Sequence, residues 1–376
     1  MHDAIVVGGG VVGMSIAYHL VCAGAVTLLI DREDPGRATD AGAGILTPET
    51  NSRDPESWFA FAVEAVGYYS TLIARLQAEQ AGETGYAVCG QIIVAVSEDE
   101  IAPFAEARRH ILDRQLRRGS PTPDDLHEIS SDAACALFPP LAPVRAALYY
   151  RNAARVDGRL LAQALCRAAT ARGLTTRRAS VERLVMRDGA VMGVEVEGET
   201  YTAASVAIAG GAWSARFGDQ LGVRIPVEPQ RGQIIHLGLP ETDTSAWPVI
   251  TACRGHYIVA WPDSRVVVGA TRETGAGFDP RATAAGIHEV LGEALRVAPG
   301  LGEAELRECR VGLRPRTADG LPVLGAVPGV RNVYLATGHG PTGLQLGPYS
   351  GKIVQDLMLG KPIQTDIAAF DVRRFS

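Results

Sequence analysis

Cysteine is sparse and scattered in this chain. Its six residues (Cys22, Cys89, Cys135, Cys166, Cys253 and Cys309) lie far apart, with no Cys-x-x-Cys and no histidine-rich neighbourhood. That spacing fits neither a zinc site nor a small disulfide framework, so the thiols read as reduced and mostly core. An excess of basic charge is also missing. The net charge of −6 gives no electrostatic footing for nucleic acid or an acidic membrane surface. No internal repeat and no low-complexity tract appears. The first apolar run begins without a charged n-region or cleavage site, so no secretion signal is expected. Residues 4 to 30 are apolar, but the triple glycine and His19 make a membrane span a poor alternative. What remains is 47% apolar and 21% charged, the composition of a globular protein with large cores. At 376 residues, two domains are the natural expectation.

The informative stretch is the first thirty-two residues. Ala4-Ile5-Val6-Val7 is long enough only for a strand buried on both faces. Gly8-Gly9-Gly10-Val11-Val12-Gly13 follows at once, giving Gly-x-Gly-x-x-Gly at Gly8, Gly10 and Gly13. Met14 to Cys22 reads as a helix with Ile16, Ala17 and Leu20 inward, closed by Gly24. Val26 to Ile30 is a second buried strand, ending in Asp31. Gly8 permits the tight turn, Gly10 lets a pyrophosphate approach the backbone, and Gly13 lets helix and strand pack closely. The diphosphate would sit on the N–H groups of the helix N-terminus. Asp31 is placed to accept hydrogen bonds from both ribose hydroxyls of an adenosine. Strand, glycines, helix, strand and acid in that order satisfy the context a dinucleotide site requires.

Further along, Ala41-Gly42-Ala43-Gly44-Ile45-Leu46 is a run of small residues, as needed where backbone lies close to something flat or to a phosphate. Trp58 to Gln80 is expected to be a long helix. Strand period begins at Tyr86 and continues through Gln91 to Val96, and Ser97 opens another helix. Arg159 to Arg172 reads as a helix, and Leu184 to Glu197 as a hairpin turning at Asp188-Gly189. Val206 to Ala209 is a short buried strand running into Gly210-Gly211-Ala212-Trp213. The middle of the chain is rich in strands, with a hairpin from Tyr257 to Gly269, and reads as an antiparallel sheet on the substrate side. Near the end, Asn332 to Ala336 leads into Thr337-Gly338-His339-Gly340-Pro341-Thr342-Gly343 and a last helix reaching Met358. Three strand ends are thus stripped of bulky side chains, as though they face one ligand.

These units resemble the FAD-dependent D-amino acid oxidase family, in its glycine oxidase and D-amino acid dehydrogenase branch. The resemblance rests on Gly8-x-Gly10-x-x-Gly13 with Asp31-Arg32, on Thr39 to Leu46, and on Gly210-Gly211-Ala212-Trp213. It also rests on Gly312-Leu313-Arg314-Pro315 and Gly338-His339-Gly340. It implies an α/β protein: a Rossmann-type FAD-binding domain, p-hydroxybenzoate-hydroxylase-like, with an inserted α+β antiparallel-sheet substrate domain. Residues 1 to 86, 145 to 215 and 310 to 376 would hold FAD, and 87 to 144 with 216 to 309 would bind substrate. Carried over, the pattern puts adenosine and diphosphate on Gly8, Gly10, Val11, Val12, Gly13, Asp31 and Arg32. Thr39, Ala43, Gly44 and Ile45 would lie along the diphosphate and flavin, and the Val181 main chain would bind the adenine. Gly210 and Trp213 would also face the cofactor. Gly338, His339, Gly340, Pro341, Thr342, Gly343, Leu344 and Gln345 would line the flavin ring. Arg314 would grip the substrate carboxylate and Tyr257 would contact it. Pro341 and Ile45 depart from the glycine oxidase pattern, which points to a different pocket, for a D-amino or N-alkyl amino acid.

The chemistry is coherent on its own terms. Hydride transfer to flavin N5 needs the substrate Cα–H held over it, and a planar arginine fork fixes a carboxylate best. The expected activity is oxidation of a small amino acid (glycine, a D-amino acid or an N-alkyl amino acid) to an imine, hydrolysed to a 2-oxo acid. One alternative is an FAD-dependent 2-hydroxy acid dehydrogenase, which needs a base such as His256 or His339. Another is a non-catalytic or NAD(P)-binding Rossmann protein. Arg314 would be merely structural if it paired with Asp319; Arg231 and Cys253 read as structural. FAD is expected without a covalent link, and no metal. Oxygen or a quinone would reoxidise it. A cytoplasmic location is expected, with membrane association if a quinone serves, and homo-oligomers remain open.

Overall fold

The structure, a computed structural model, describes residues 1–52 and 55–375. Two large sheets share the chain. In the first, parallel strands stand in the order Thr175–Arg178, Thr27–Asp31, His2–Val7, Glu199–Ile208 and Val333–Thr337. Val323–Ala326 and the hairpin of Arg183–Arg187 with Ala190–Val196 extend it antiparallel. His2–Val7 is buried from both sides, as its unbroken apolar run requires. Ala4 and Val6 face a core built with the helices Val11–Cys22, Glu56–Ala78, Gly158–Ala171 and Gly343–Met358. Ile5 and Val7 face the hairpin.

Small residues set how closely two of these helices cross. A Cβ at Gly351 would stand 2.5 Å from that of Ser15, and the Ser15 hydroxyl donates to the Pro348 carbonyl at 2.7 Å. Helices Val11–Cys22 and Gly343–Met358 each follow a parallel strand, so their N-termini open at the carboxyl ends of the strands. Asp157 starts a third helix by accepting from the Arg159 and Leu160 N–H groups at 3.0 and 3.1 Å.

The second sheet runs in the order Glu273–Thr274, Val227–Gly238, Arg265–Gly269, Tyr257–Trp261, Val249–Ala252, Gln91–Ala95, Ala146–Tyr150 and Leu126–Ile129. Glu305–Thr317 joins it on Val227–Gly238. It is antiparallel except where Val249–Ala252 meets Gln91–Ala95. Alternation along Gln91–Ala95 sends Ile92 and Val94 towards helix Ala284–Val297, and Ile93 and Ala95 towards helix Ile101–Arg118. Elsewhere Ile234, Val249, Val259 and Val267 pack with Ala41, Ala43 and Ile45 of the first unit.

Sheet pairing crosses the expected boundaries at two places. Ala146–Tyr150, just past 145, pairs with Gln91–Ala95, and the residues from 310 to 317 continue a strand of the second sheet. Period 2 marks a strand but not its partner. The helices begin earlier than the apolar pattern indicates, at Val11 and Glu56. No disulfide joins the cysteines among the described residues, and each of the six is half-buried rather than in the core. Among the described residues no helix is long and apolar enough to cross a membrane.

Burial pushes His19, His236 and His339 down to about 4. In the unfolded chain they titrate near 6.5, so below that pH the unfolded state binds more protons. Their contribution is complete above pH ~6.5 and is lost as the pH falls towards about 4. The melting temperature should therefore drop already between pH ~6.5 and ~5, before most carboxylates protonate. A flat profile across that window contradicts the assignment of these three as buried and neutral.

Candidate active site

A cavity of about 1630 Å³, open mouth included, lies where the strand ends of the first sheet meet the second. Asp31, Arg32, Val181 and Trp213 mark one end, with the Arg32 guanidinium 5.8 Å above the Trp213 ring. Asp31 is oriented by backbone: one carboxylate oxygen accepts from Gly9 N–H and the other from Glu33 N–H. Arg37, which the sequence reading missed, stands 3.8 Å from it.

Gly8, Gly10, Val11 and Val12 form the next part of the wall. Helix Val11–Cys22 has no capping side chain at Gly10 and no acid in its first turn. The Thr39 hydroxyl, accepting from Val11 N–H at 3.0 Å, ties the following loop to that helix end. The remaining partial positive charge faces the cavity, as an anion site requires. Gly13 is not on the wall. It is needed behind it, because a Cβ there would overlap the Gly8 carbonyl oxygen.

Ala43, Gly44, Ile45, Gly210, His339, Gly340, Pro341, Gly343, Leu344 and Gln345 line the cavity as expected. Gly44 has φ +75°, and a side chain there would strike the Val156 carbonyl. Gly338 and Thr342 are not among the lining residues. Gly338 turns the chain against Thr317, and the Thr342 hydroxyl donates to the His339 carbonyl at 2.9 Å.

Tyr257, Arg272 and Arg314 stand together on the wall from the second sheet. Arg314 donates from Nη1 to the Thr271 carbonyl at 2.8 Å and hydrogen-bonds the Tyr257 hydroxyl. Burial, with the neighbouring charge of Arg272, holds its guanidinium below the usual range, against the pull of Tyr257. Burial pushes the Tyr257 phenol up. Arg314 makes no ion pair among the described residues. Asp319, its potential structural partner, pairs with Arg374 at 2.7 Å instead. Arg231 is structural, bound to Glu273 and Asp279 at 2.6 and 2.9 Å.

Two glycines make room for this pair. A Cβ at Gly232 would lie within 2.5 Å of the Arg314 guanidinium, and one at Gly269 would lie 2.9 Å from the Tyr257 hydroxyl. A glycine inside a strand is itself a sign of such close approach, so Gly232 was open to detection. Arg272 carried no such sign.

Of the two candidate histidine bases, His339 lines the cavity and His256 does not. The His339 ring bonds the Ser350 hydroxyl at 3.0 Å, and that hydroxyl donates to the Leu346 carbonyl. The bond therefore assigns the Nε2 proton to His339, which burial keeps neutral. His256 lies off the cavity, 3.4 Å from Glu289.

Comparison with known proteins agrees with this architecture. Residues 3–357 match the family model described as DAO, FAD dependent oxidoreductase. An uncharacterized oxidoreductase, YurR of Bacillus subtilis (strain 168), is 38% identical over 99% of this chain and 98% of its own. The structure of iminodiacetate oxidase from Chelativorans sp. BNC1 superposes with a TM-score of 0.92 at 37% identity, covering 98% of each chain. Glycine oxidase from Geobacillus kaustophilus gives a TM-score of 0.89 at 27% identity, over 99% of this chain and 98% of its own.

The room left at Gly232 yields a test. Gly232→Ala should displace Arg314 while leaving the dinucleotide wall intact. The purified variant should keep its full flavin content yet bind a small carboxylate about tenfold or more weakly, the loss expected for one charge-assisted bond. Unchanged carboxylate affinity, read from the perturbed flavin absorbance, contradicts the placement.

Proposed function

The chain belongs to the DAO family of FAD-dependent oxidoreductases, and we propose that it oxidises a small amino acid at its Cα–N bond. The residues present fit FAD. Gln345 accepts from Thr47 N–H at 3.0 Å through Oε1, which leaves its buried Nε2 without a partner on the cavity wall. A buried donor of this kind calls for an acceptor, which a flavin edge offers. Asp31 and Arg32 would hold the adenosine, and the N-terminus of helix Val11–Cys22 the diphosphate. Ile45, Gly44 and residues 339 to 345 would hold the flavin. The wall has no cysteine, and the ring of His339 is engaged with Ser350, so the cofactor is held without a covalent link.

The observation that carries the substrate reading is Arg314. Its charge is largely taken from water, held by a carbonyl and beside a phenol, and makes no ion pair among the described residues. Such a group is costly until an anion arrives. A substrate carboxylate meets both needs: the guanidinium fork takes its two oxygens and Tyr257 adds a third donor. With the carboxylate fixed, the Cα–H is aimed and the rest of the substrate has little freedom. FAD, when bound, supplies the hydride acceptor. The amine proton leaves to solvent, and the imine hydrolyses to a 2-oxo acid. Amine oxidation needs no base from the protein, whereas a 2-hydroxy acid would need its hydroxyl proton removed. The relatives named glycine oxidase and iminodiacetate oxidase support an amino acid substrate, primary or N-substituted.

Truncating one partner of a buried charge pair costs about 2–5 kcal/mol. Arg314→Ala should therefore lower kcat/KM by roughly thirty- to several-thousand-fold on the best amino acid, with normal flavin content. Arg314→Lys should recover part of the loss, keeping the charge without the fork. Near-normal kcat/KM in Arg314→Ala contradicts the anchor. Loss of soluble, flavin-loaded protein points to a structural arginine instead.

A further inference from the structure

Carboxylates on the cavity wall are confined to one end. Asp31 and Asp34 stand beside Arg32, whereas around Tyr257 the wall carries Arg314 and Arg272 and no acid. The nearest acid in sequence, Glu273, is already committed. It accepts from Arg231, from the Gln233 amide at 2.7 Å and from the Thr271 hydroxyl at 2.7 Å.

Arg272 differs from several arginines around it. Arg231, Arg254, Arg265 and Arg296 each bind two or more carboxylates. Arg272 makes no ion pair among the described residues, and its bond is from Nη2 to the Gly255 carbonyl at 2.9 Å. That carbonyl belongs to the turn leading into Tyr257–Trp261, and the residue before Arg272 is Thr271, whose carbonyl holds Arg314. One short stretch of backbone therefore fixes both guanidinium groups relative to each other. Arg314 is recessed and half-buried, whereas Arg272 is exposed at the cavity mouth. The charge of Arg272 is felt by both Tyr257 and Arg314. Two unpaired like charges on one wall are unfavourable alone and complementary to a ligand with two negative charges.

We propose that the site takes a dicarboxylic amino acid, with Arg314 on the α-carboxylate and Arg272 on a second carboxylate at the mouth. This rests on the reading of Arg314 above. The second carboxylate has two possible sources, an N-carboxymethyl group or an acidic side chain on Cα. Arg272 is then what separates such substrates from glycine-sized ones, a separation that the recessed anchor alone does not provide.

The test uses the FAD-loaded full chain and two ligands without an amine, followed by their perturbation of flavin absorbance. Oxydiacetate carries two carboxylates and methoxyacetate one. Oxydiacetate should bind about tenfold or more tightly, and Arg272→Gln should reduce that preference below about threefold. No preference in the unaltered protein, or a preference that survives Arg272→Gln, overturns the proposal. Arg314→Gln should weaken both ligands. If it weakens neither, the anchor reading fails, and this inference with it. Turnover then identifies the source of the carboxylate, with N-(carboxymethyl)glycine compared against N-methylglycine and D-aspartate against D-alanine. The pair whose kcat/KM ratio depends on Arg272 names it; dependence in neither pair overturns the proposal.

Discussion

Arg314 reaches the cofactor cavity because Val227–Gly238 and Glu305–Thr317 pair along their whole length and carry the second sheet to the edge of the first. The far end of this ribbon is tied to the dinucleotide unit, where Leu313 N–H donates to the Gly36 carbonyl at 2.8 Å and Arg316 bridges to His339. Within it, Gly232 leaves the space that the guanidinium occupies. The register of two strands thus decides where a charge stands relative to the helix N-termini across the cavity. A slip of one residue would turn Arg314 to the other face of the sheet and leave the site without its anion receptor.

The two sides of the cavity meet different demands. The dinucleotide side offers backbone, kept bare by small residues, and the N-terminal dipoles of two helices. Its carboxylate, Asp31, is oriented by N–H groups before any ribose arrives. The other side offers positive charge, Arg314 recessed and Arg272 exposed, supported by carbonyls from Thr271 and Gly255 rather than by acids. An arginine paired with Glu or Asp would be cheaper to bury but would have to surrender that partner to each incoming carboxylate. The protein instead keeps its ion pairs, such as Arg231 with Glu273 and Asp279, just behind the wall.

Much of the first side was legible in sequence because its determinants are local. The glycines, the helix after them and Asp31 fall within one βαβ unit, so spacing alone is enough. The second side is assembled across strands. That Gly232 faces Arg314, or that Gly269 faces Tyr257, depends on register that no local pattern encodes. Arg272 looked like any loop arginine until Thr271 and Gly255 were seen to hold its neighbourhood. Gly338 and Thr342 sit in the same loop, where they turn and brace it and are not among the residues lining the cavity. Ala146–Tyr150 was not read as a strand, and its place in the second sheet comes from pairing with Gln91–Ala95.

The role of Arg314 is decided by where a small carboxylate rests in the flavin-loaded protein. A crystal structure with FAD and bound methoxyacetate is the most direct measurement. The carboxylate should lie between the Arg314 fork and the Tyr257 hydroxyl, with the diphosphate on the N-terminus of helix Val11–Cys22 and Gln345 Nε2 bonded to the flavin. A carboxylate seated elsewhere, with Arg314 turned onto an acid of the protein, would contradict that role.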